Sequence, residues 1–471
     1  MTERTTDLAV VGAGPGGYAA AFLAADLGMQ VTLVDEAPNP GGVCLYRGCM
    51  PSKALLHVAK VIDDAKQADA WGVTFGAPTL DLVKLRTWKD GVVDRLTGGL
   101  GQLSTQRKVD YIQGRASIAG PQTLSVCGDA GEQRIEFGHA ILATGSSPAI
   151  PAGLSLDSDR VMDSTGALEL HDVPARLLVV GGGYIGLELG TAYAALGSRV
   201  TVVEMTGGLL PGTDRDLVNP VAKRMASLAE AIRLETTVVR MDAAGDGIAV
   251  TLEGKAAEAS GQVFDRVLVA VGRQPNSKID GLDMTRVELD ARGFVQVDSQ
   301  RRTAEPTIFA IGDLVGEPML AHKASHEGRL VVEVIHGSKE VFEPLAIPAV
   351  VFTDPEVAWC GLTETEAKAD GRAVKISKFP WGASGRAVTL DRVDGMTKLV
   401  VDPKTEQILG VGIVGAGAGE LIAEGVLAIE MGATPSDLKM TIHPHPTLSE
   451  TLMESAEVFF AQSTHYRGKA R

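Results

Sequence analysis

Residues 7–36 read DLAVVGAGPGGYAAAFLAADLGMQVTLVDE. The first eight are a short apolar strand running into glycines. Gly12, Gly14 and Gly17 then form a G-x-G-x-x-G turn. An Ala-rich helix follows from Tyr18 to about Leu27 and stops at Gly28. A second strand ends in Asp35. Strand, glycine turn, helix, strand and acid together mark a dinucleotide-binding unit. One glycine makes the tight turn, one lets a pyrophosphate reach the backbone, and one lets helix and strand pack closely. The helix N-terminus faces the phosphates, and Asp35 is placed to accept from ribose hydroxyls.

Outward from this unit, the pattern recurs. LLVVGGGYIG (177–186) carries Gly181, Gly183 and Gly186, and its second strand ends in Glu204. Gly12 to Asp35 and Gly181 to Glu204 span the same offset. Two copies of one βαβ unit imply two bound dinucleotides. Glu204 would take a 2′-hydroxyl and repel a 2′-phosphate, and no Arg lies in MTGGLLPG (205–212), so the second should be NAD rather than NADP.

Two strand-to-glycine turns pair up between and after these copies: HAILATGSSP (139–148), with Thr144 and Gly145, and RVLVAVGRQPN (266–276), with Gly272. Each closes a nucleotide unit and could line a cofactor, or be a plain tight turn. EPTIFAIGD (305–313) ends in Asp313, an acid able to take sugar hydroxyls or simply to make a turn. A helix opens at MLAHKASHEG (319–328). From about Ile347 the pattern becomes antiparallel α+β. The expected fold is therefore α/β, with two Rossmann-like dinucleotide-binding domains and a C-terminal α+β dimerisation domain. The expected segments are 1–150, 151–279, 280–346 (returning to the first domain) and 347–471.

The reactive stretch is GGVCLYRGCMPSKALL (41–56). Two of the four cysteines, Cys44 and Cys49, stand here with four residues between them. Pro51 suits a first helical turn, so Cys49 falls near a helix N-terminus, where the dipole favours a thiolate. Lys53 adds a cation about one turn on. A redox-active pair is the reading, because no second Cys or His pair lies nearby at metal-ligand spacing. No metal is expected. Cys127 and Cys360 read as buried small hydrophobes.

The tail TIHPHPTLSETLMESAEVFF (441–460) alternates His and Pro, which stiffens it. Thr447-x-x-Glu450 before an apolar run has the form of a capping box, so Glu450 could cap a helix and His445 could be a satisfied turn histidine. Alternatively, His445 beside a carboxylate is the acid/base that thiol chemistry needs. The residues alone leave both open.

The 471-residue chain carries a formal net charge of -15 and a pI near 5.1. It is long enough for two to four domains. Its charge argues against nucleic acid and anionic membrane partners. No apolar run reaches the ~18 residues that would cross a bilayer, and no secretory signal stands before the first strand. A cytoplasmic location is expected, or an organellar one after processing, with no fused domain ahead of the first strand.

Taken together, these motifs resemble the pyridine nucleotide–disulfide oxidoreductases over nearly the whole chain. G-G-x-C-x-x-x-x-G-C-x-P-S-K appears as Gly41 to Lys53, and both fingerprints, A-T-G, F-A-I-G-D and H-x-H-P-T-x-S-E occur in family order. Tyr46-Arg47 and Met50 replace commoner residues. The resemblance implies FAD on Gly12, Gly14, Gly17 and Asp35, with Asp313 on the ribitol and Ala321-His322 near the flavin. NAD would bind the second fingerprint. Cys49 would face the flavin, and Cys44 would exchange with substrate. His445, from the second subunit of a homodimer, would be the base, oriented by Glu450. Lys53 and Glu188 would pair beside the flavin. The implied activity is oxidation of protein-bound dihydrolipoamide with reduction of NAD. The implied partners are lipoyl domains of 2-oxo acid dehydrogenase complexes or the glycine-cleavage H protein. A member using NADPH is disfavoured by Glu204. One reducing mercuric ion would need a C-terminal cysteine pair, and the last cysteine is Cys360.

Overall fold

The structure, a computed structural model, describes residues 2–129, 131–257 and 261–467. The opening strand, Thr2–Val11, lies between Val31–Asp35 and Gly131–Leu142, parallel to both. Asp110–Gln113 adds a further parallel strand beyond Val31–Asp35. Gly131–Leu142 has two roles. Its first half closes an antiparallel meander with Thr123–Gly128 and Arg115–Gly120. Its last three residues pair in parallel with Ile308–Ala310, a strand from far along the chain. The first sheet is thus completed by a segment that follows the second nucleotide unit.

The first helix, α1 (Pro15–Asp26), has Gly14 at its N-cap and buries Gly16, Gly17, Ala20, Ala21 and Ala24. These small residues let it lie against helix Ala321–Ile335 at backbone distance. A Cβ on Gly328 would come within 2.4 Å of the Gly16 carbonyl oxygen. The Ala-rich composition is therefore a packing requirement as well as a helix preference.

The second unit repeats the plan. Arg176–Val180 is flanked by Arg199–Val203 and Arg266–Val269, with Ala231–Arg233 and Val161–Met162 at the edges, all parallel. Gly12 and Gly181 both have positive φ, +98° and +109°. A Cβ on Gly17 would lie 1.8 Å from the Gly12 carbonyl, and one on Gly186 2.2 Å from that of Gly181. The same two backbone contacts close both turns, and only glycine permits them.

The C-terminal part is a five-stranded antiparallel sheet in the order Ala349–Val351, Glu356–Gly361, Ile408–Gly415, Met396–Val401, Lys375–Pro380. Helices Ala418–Glu430 and Glu450–Phe459 cover it. A buried charge knot joins this sheet to the second nucleotide unit. Lys398, 1% exposed, donates to Asp214 at 2.6 Å and Asp216 at 2.8 Å, and Asp214 also accepts from the amides of Glu364 and Thr365. Among the described residues no helix is long and apolar enough to cross a membrane.

Candidate active site

The cysteines sit where two helices meet. Cys44 lies in a short helix, α2 (Gly42–Arg47). Cys49 is the first residue of α3 (Cys49–Gln67). Gly48 separates them, and a Cβ there would come 2.8 Å from the Val43 carbonyl. Both thiols are free. They are not equivalent. Hydrogen bonding with Cys44, opposed by burial, helped by Lys53 and countered by Glu188, lowers the Cys49 thiol to about 7. The hydrogen bond to Cys49, together with burial, pushes the Cys44 thiol strongly upward. Cys49 is therefore the thiolate of the reduced pair, in keeping with its place at a helix head.

Lys53 is held by Glu188, 2.8 Å away and 3% exposed. Ser52 Oγ shares the same carboxylate oxygen at 3.1 Å, and the Phe352 amide donates to the other at 3.0 Å. Lys53 Nζ also lies 4.4 Å from the centre of the Phe352 ring. Glu188 is thus anchored to the cysteine helix and to the C-terminal part at once. A buried carboxylate needs such partners.

A cavity of about 1120 Å³ runs past the pair. It is lined by Gly12, Gly14, Asp35, Cys44, Cys49, Lys53, Thr144, Gly145, Glu188, Asp313 and Ala321, all singled out from sequence. Its volume lies just above the usual span of small-molecule sites, about 300–1,000 Å³, which suits an extended dinucleotide. Gly17 lies beneath the turn. His322 turns aside, with Nε2 2.8 Å from the Pro348 carbonyl. Gly181, Gly183, Gly186, Glu204 and Gly272 do not line this cavity, but Tyr184 and Arg273, their neighbours, do.

The acid at the end of each second strand holds the backbone of its own turn. Asp35 accepts from the amides of Ala13 (2.7 Å) and Ala37 (2.9 Å), and Glu204 from those of Gly182 (2.7 Å) and Thr206 (2.7 Å). Each carboxylate splints its own glycine turn. At the second turn a Cβ on Gly183 would meet nothing within 4 Å. Gly183 caps helix Tyr184–Leu196, so free amides face open space there, as a pyrophosphate requires. Arg215, the next Arg along, spends its guanidinium on the carbonyls of Thr213, Leu209 and Leu210. It is not offered to a 2′-phosphate.

Other residues carry the site without a sequence signal. Ser146 donates to Asp313 at 2.5 Å and accepts from Arg273 at 2.7 Å, tying three strand ends together. Asn276 donates to the Thr144 carbonyl at 2.9 Å. Glu327, fully buried, takes the Gly312 amide at 2.6 Å and pairs with Arg301 and Lys323. This buried cluster grips the Gly312 backbone next to Asp313. A Ser after A-T-G and an Arg after Gly272 are faint signals; Glu327 had none.

His445 and Glu450 are brought together, but not to the cysteines of the same chain. His445 Nδ1 lies 2.9 Å from Glu450 Oε1, and the ring is 72% exposed. The other oxygen of Glu450 accepts from the Thr447 amide at 2.8 Å. Glu450 therefore both closes the turn and holds the histidine. The Thr447 hydroxyl does not cap; it donates to the Pro444 carbonyl. His443 is buried and clamped between the Thr441 carbonyl (2.9 Å) and Glu424 (2.7 Å), which fixes the tail. Of the lone cysteines, Cys360 is buried, but Cys127 is exposed on a hairpin, against expectation.

The chain is similar to known proteins along its whole length. It is 49% identical to a dihydrolipoyl dehydrogenase of Vibrio cholerae over 97% of this chain and 96% of that one. It is 48% identical to one of Haemophilus influenzae (97% and 95%) and 43% identical to one of Bacillus subtilis (98% and 97%). Among solved structures, LpdA of Mycobacterium tuberculosis superposes with a TM-score of 0.88 at 25% identity (97% and 99%). The HOCl-induced flavoprotein disulfide reductase RclA of Escherichia coli superposes with a TM-score of 0.84 at 27% identity (96% and 99%). Residues 6–328 match the pyridine nucleotide-disulphide oxidoreductase model and residues 347–456 that family's dimerisation domain; with relatives nearly half identical end to end, this chain belongs to the pyridine nucleotide-disulphide oxidoreductases.

Proposed function

We propose that the chain oxidises dihydrolipoamide carried on a partner protein and reduces NAD, working as a homodimer. FAD would lie along Gly12, Gly14, Asp35 and Asp313, and NAD at Gly181, Gly183, Gly186 and Glu204. Residues 1–150 and 280–346 then form the flavin domain, 151–279 the NAD domain and 347–471 the interface. The observation that carries this reading is the unequal cysteine pair inside a dinucleotide-sized cavity, with a His–Glu pair exposed on a separate domain.

The residues divide the work as follows. In the oxidised enzyme Cys44 and Cys49 are joined. His445 of the second subunit takes the proton of one substrate thiol, with Glu450 holding the ring. The substrate thiolate attacks the Cys44 sulfur, the Cys44–Cys49 bond breaks, and Cys49 leaves as the thiolate. The attack falls on Cys44 because Lys53 and the head of α3 make Cys49 the better leaving group. The second substrate thiol then attacks the substrate sulfur bound to Cys44, its proton passing to the departing Cys44 sulfur, and this releases cyclic lipoamide and the reduced pair. When bound, FAD supplies the carrier that takes the two electrons from the thiols and delivers hydride to NAD. Exposed Met440 and Ile442 beside the His tail support its being covered by a second copy.

The test is NAD reduction by dihydrolipoamide with FAD bound. NADPH-dependent turnover of a different disulfide, with no dihydrolipoamide activity, would overturn the reading. Lipoyl domains and the H protein are the partners to compare as substrates.

A further inference from the structure

A second His–carboxylate pair lies directly behind the first. On helix Glu450–Phe459, Glu454 is one turn beyond Glu450 and is 4% exposed. The chain turns back after the helix and lays Ser463 and His465 against it. His465 Nδ1 is 2.5 Å from Glu454 Oε1, and Ser463 Oγ donates to Glu454 Oε2 at 2.5 Å. The Tyr466 amide donates to Ser463 Oγ, and its ring packs edge-on against Phe379. The returning segment is therefore built in, not loosely apposed.

We propose that His465 is a positioning residue for the His445–Glu450 pair: held by Glu454, it sets a cation behind Glu450 that offsets the buried Glu454 charge and leaves the Glu450 carboxylate directed at His445. This rests on the reading of His445 as the base.

Among the described residues, the charges around it are few. From helix Glu450–Phe459 His465 faces Glu454, Glu450 and Glu457. Lys375, on the adjacent strand, is engaged with the Phe459 carbonyl and ring, and Lys439, on helix Pro435–Met440, with Gln462 and the Phe460 ring. On the far side of the tail, His443 Nε2 lies 2.7 Å from Glu424. Glu450, Glu454 and Glu457 share one helix face, with His445 against the first and His465 against the second. The hydrogen bond and charge of Glu454 raise the His465 pKa, so its cation persists towards neutral pH. The Glu450 carboxyl, opposed by burial, is still held below its usual range by Thr447, His445 and His465.

The test is the pH–rate profile of dihydrolipoamide oxidation by the FAD-loaded dimer. Without His465, Glu454 adds an uncompensated negative charge, which favours the protonated base. In His465→Gln the acidic limb should move up by about half a pH unit, the size expected for one charge within roughly ten ångströms near a surface. His465→Lys keeps the cation and should leave the limb in place. Glu454→Gln/His465→Gln removes both charges and should return it. NADH-driven reduction of an artificial acceptor, which bypasses the dithiol, should be unchanged in all three. A uniform loss of rate with no movement of the limb, or the same movement in the Lys variant, would overturn the proposal. If His445→Gln itself leaves dithiol oxidation intact, the reading of the base fails instead, so the two failures are distinguishable.

Discussion

Replacing Cys44 by Ala removes the thiol that donates to Cys49, and the Cys49 thiol should then titrate well above about 7. A hydrogen bond to a charged acceptor is worth about 1.5–3 kcal/mol, and one pKa unit about 1.4 kcal/mol, so the midpoint should rise by roughly one to two units. Cys44→Ser keeps a donor in place and should move it much less. Lys53→Met removes the cation and leaves the Glu188 carboxylate facing Cys49 alone, so both changes push the midpoint up. The assay is the ultraviolet absorbance of the thiolate in the reduced, FAD-loaded protein, followed against pH. Cys127 is exposed and is changed to Ser throughout. Cys360, pushed up to about 12 by burial, stays silent. Thiolate absorbance should grow as pH rises through the midpoint. A Cys44→Ala midpoint still near 7 would refute the reasoning and leave Lys53 and the helix head as the whole cause.

Cys49→Ser should abolish thiolate-to-flavin charge-transfer absorption while Cys44→Ser retains it; a band surviving in Cys49→Ser would mean the roles are reversed. His445→Gln should lower dithiol oxidation by about 10²–10⁴-fold, the usual worth of a general base, and spare NADH oxidation by an artificial acceptor; near-normal dithiol turnover would leave Glu450 only its turn-closing role. Glu204→Ala should raise the KM for NAD and also lower the melting temperature, since leaving the Gly182 and Thr206 amides unpaired costs about 1–3 kcal/mol each; a KM change with unaltered melting would show the splint to be unimportant. Lys398→Met should destabilise by about 3–5 kcal/mol, as breaking a buried ion pair does, measured by denaturant unfolding. In acid the same knot should loosen. Burial raises the Asp214 pKa, but Lys398 and Thr365 hold it down to about 2 against an ordinary 3.8. Its contribution is therefore complete above the ordinary value and lost as pH falls from there towards 2. Intrinsic fluorescence of Trp381, packed against the Thr397 hydroxyl beside Lys398, is a readout for that window.

Much of the site was legible because its chemistry depends on short-range spacing. The glycine turns, their following acids, the Cys44–Cys49 interval and the A-T-G and G-D strand ends lie within a few residues of the structure they build. A backbone that needs positive φ and no Cβ leaves a visible mark, namely glycine at fixed offsets. What stayed hidden depends on partners far along the chain. Nothing near Ser146 announces Asp313 or Arg273, and nothing near Gly312 announces Arg301, Glu327 and Lys323. Glu327 looks like any acid on a helix until the fold buries it. The Thr447–Glu450 spacing was read as a choice between capping and chemistry, because a sequence does not show that one carboxylate has two oxygens facing two groups.

By itself the sequence determined that there are two nucleotide units of one plan, that the second takes an unphosphorylated ribose, and that the reactive pair sits at a helix head. It placed Cys49 at that helix head, but not the groups that surround it. Only the folded chain brings Glu188 to Lys53 beside the pair and leaves His445 outside the cavity that both cysteines line. The physical reason is that a pKa is set by the few charges and hydrogen bonds around an atom, and for Cys49 those neighbours come from two separate stretches of the chain, residues 44–53 and Glu188.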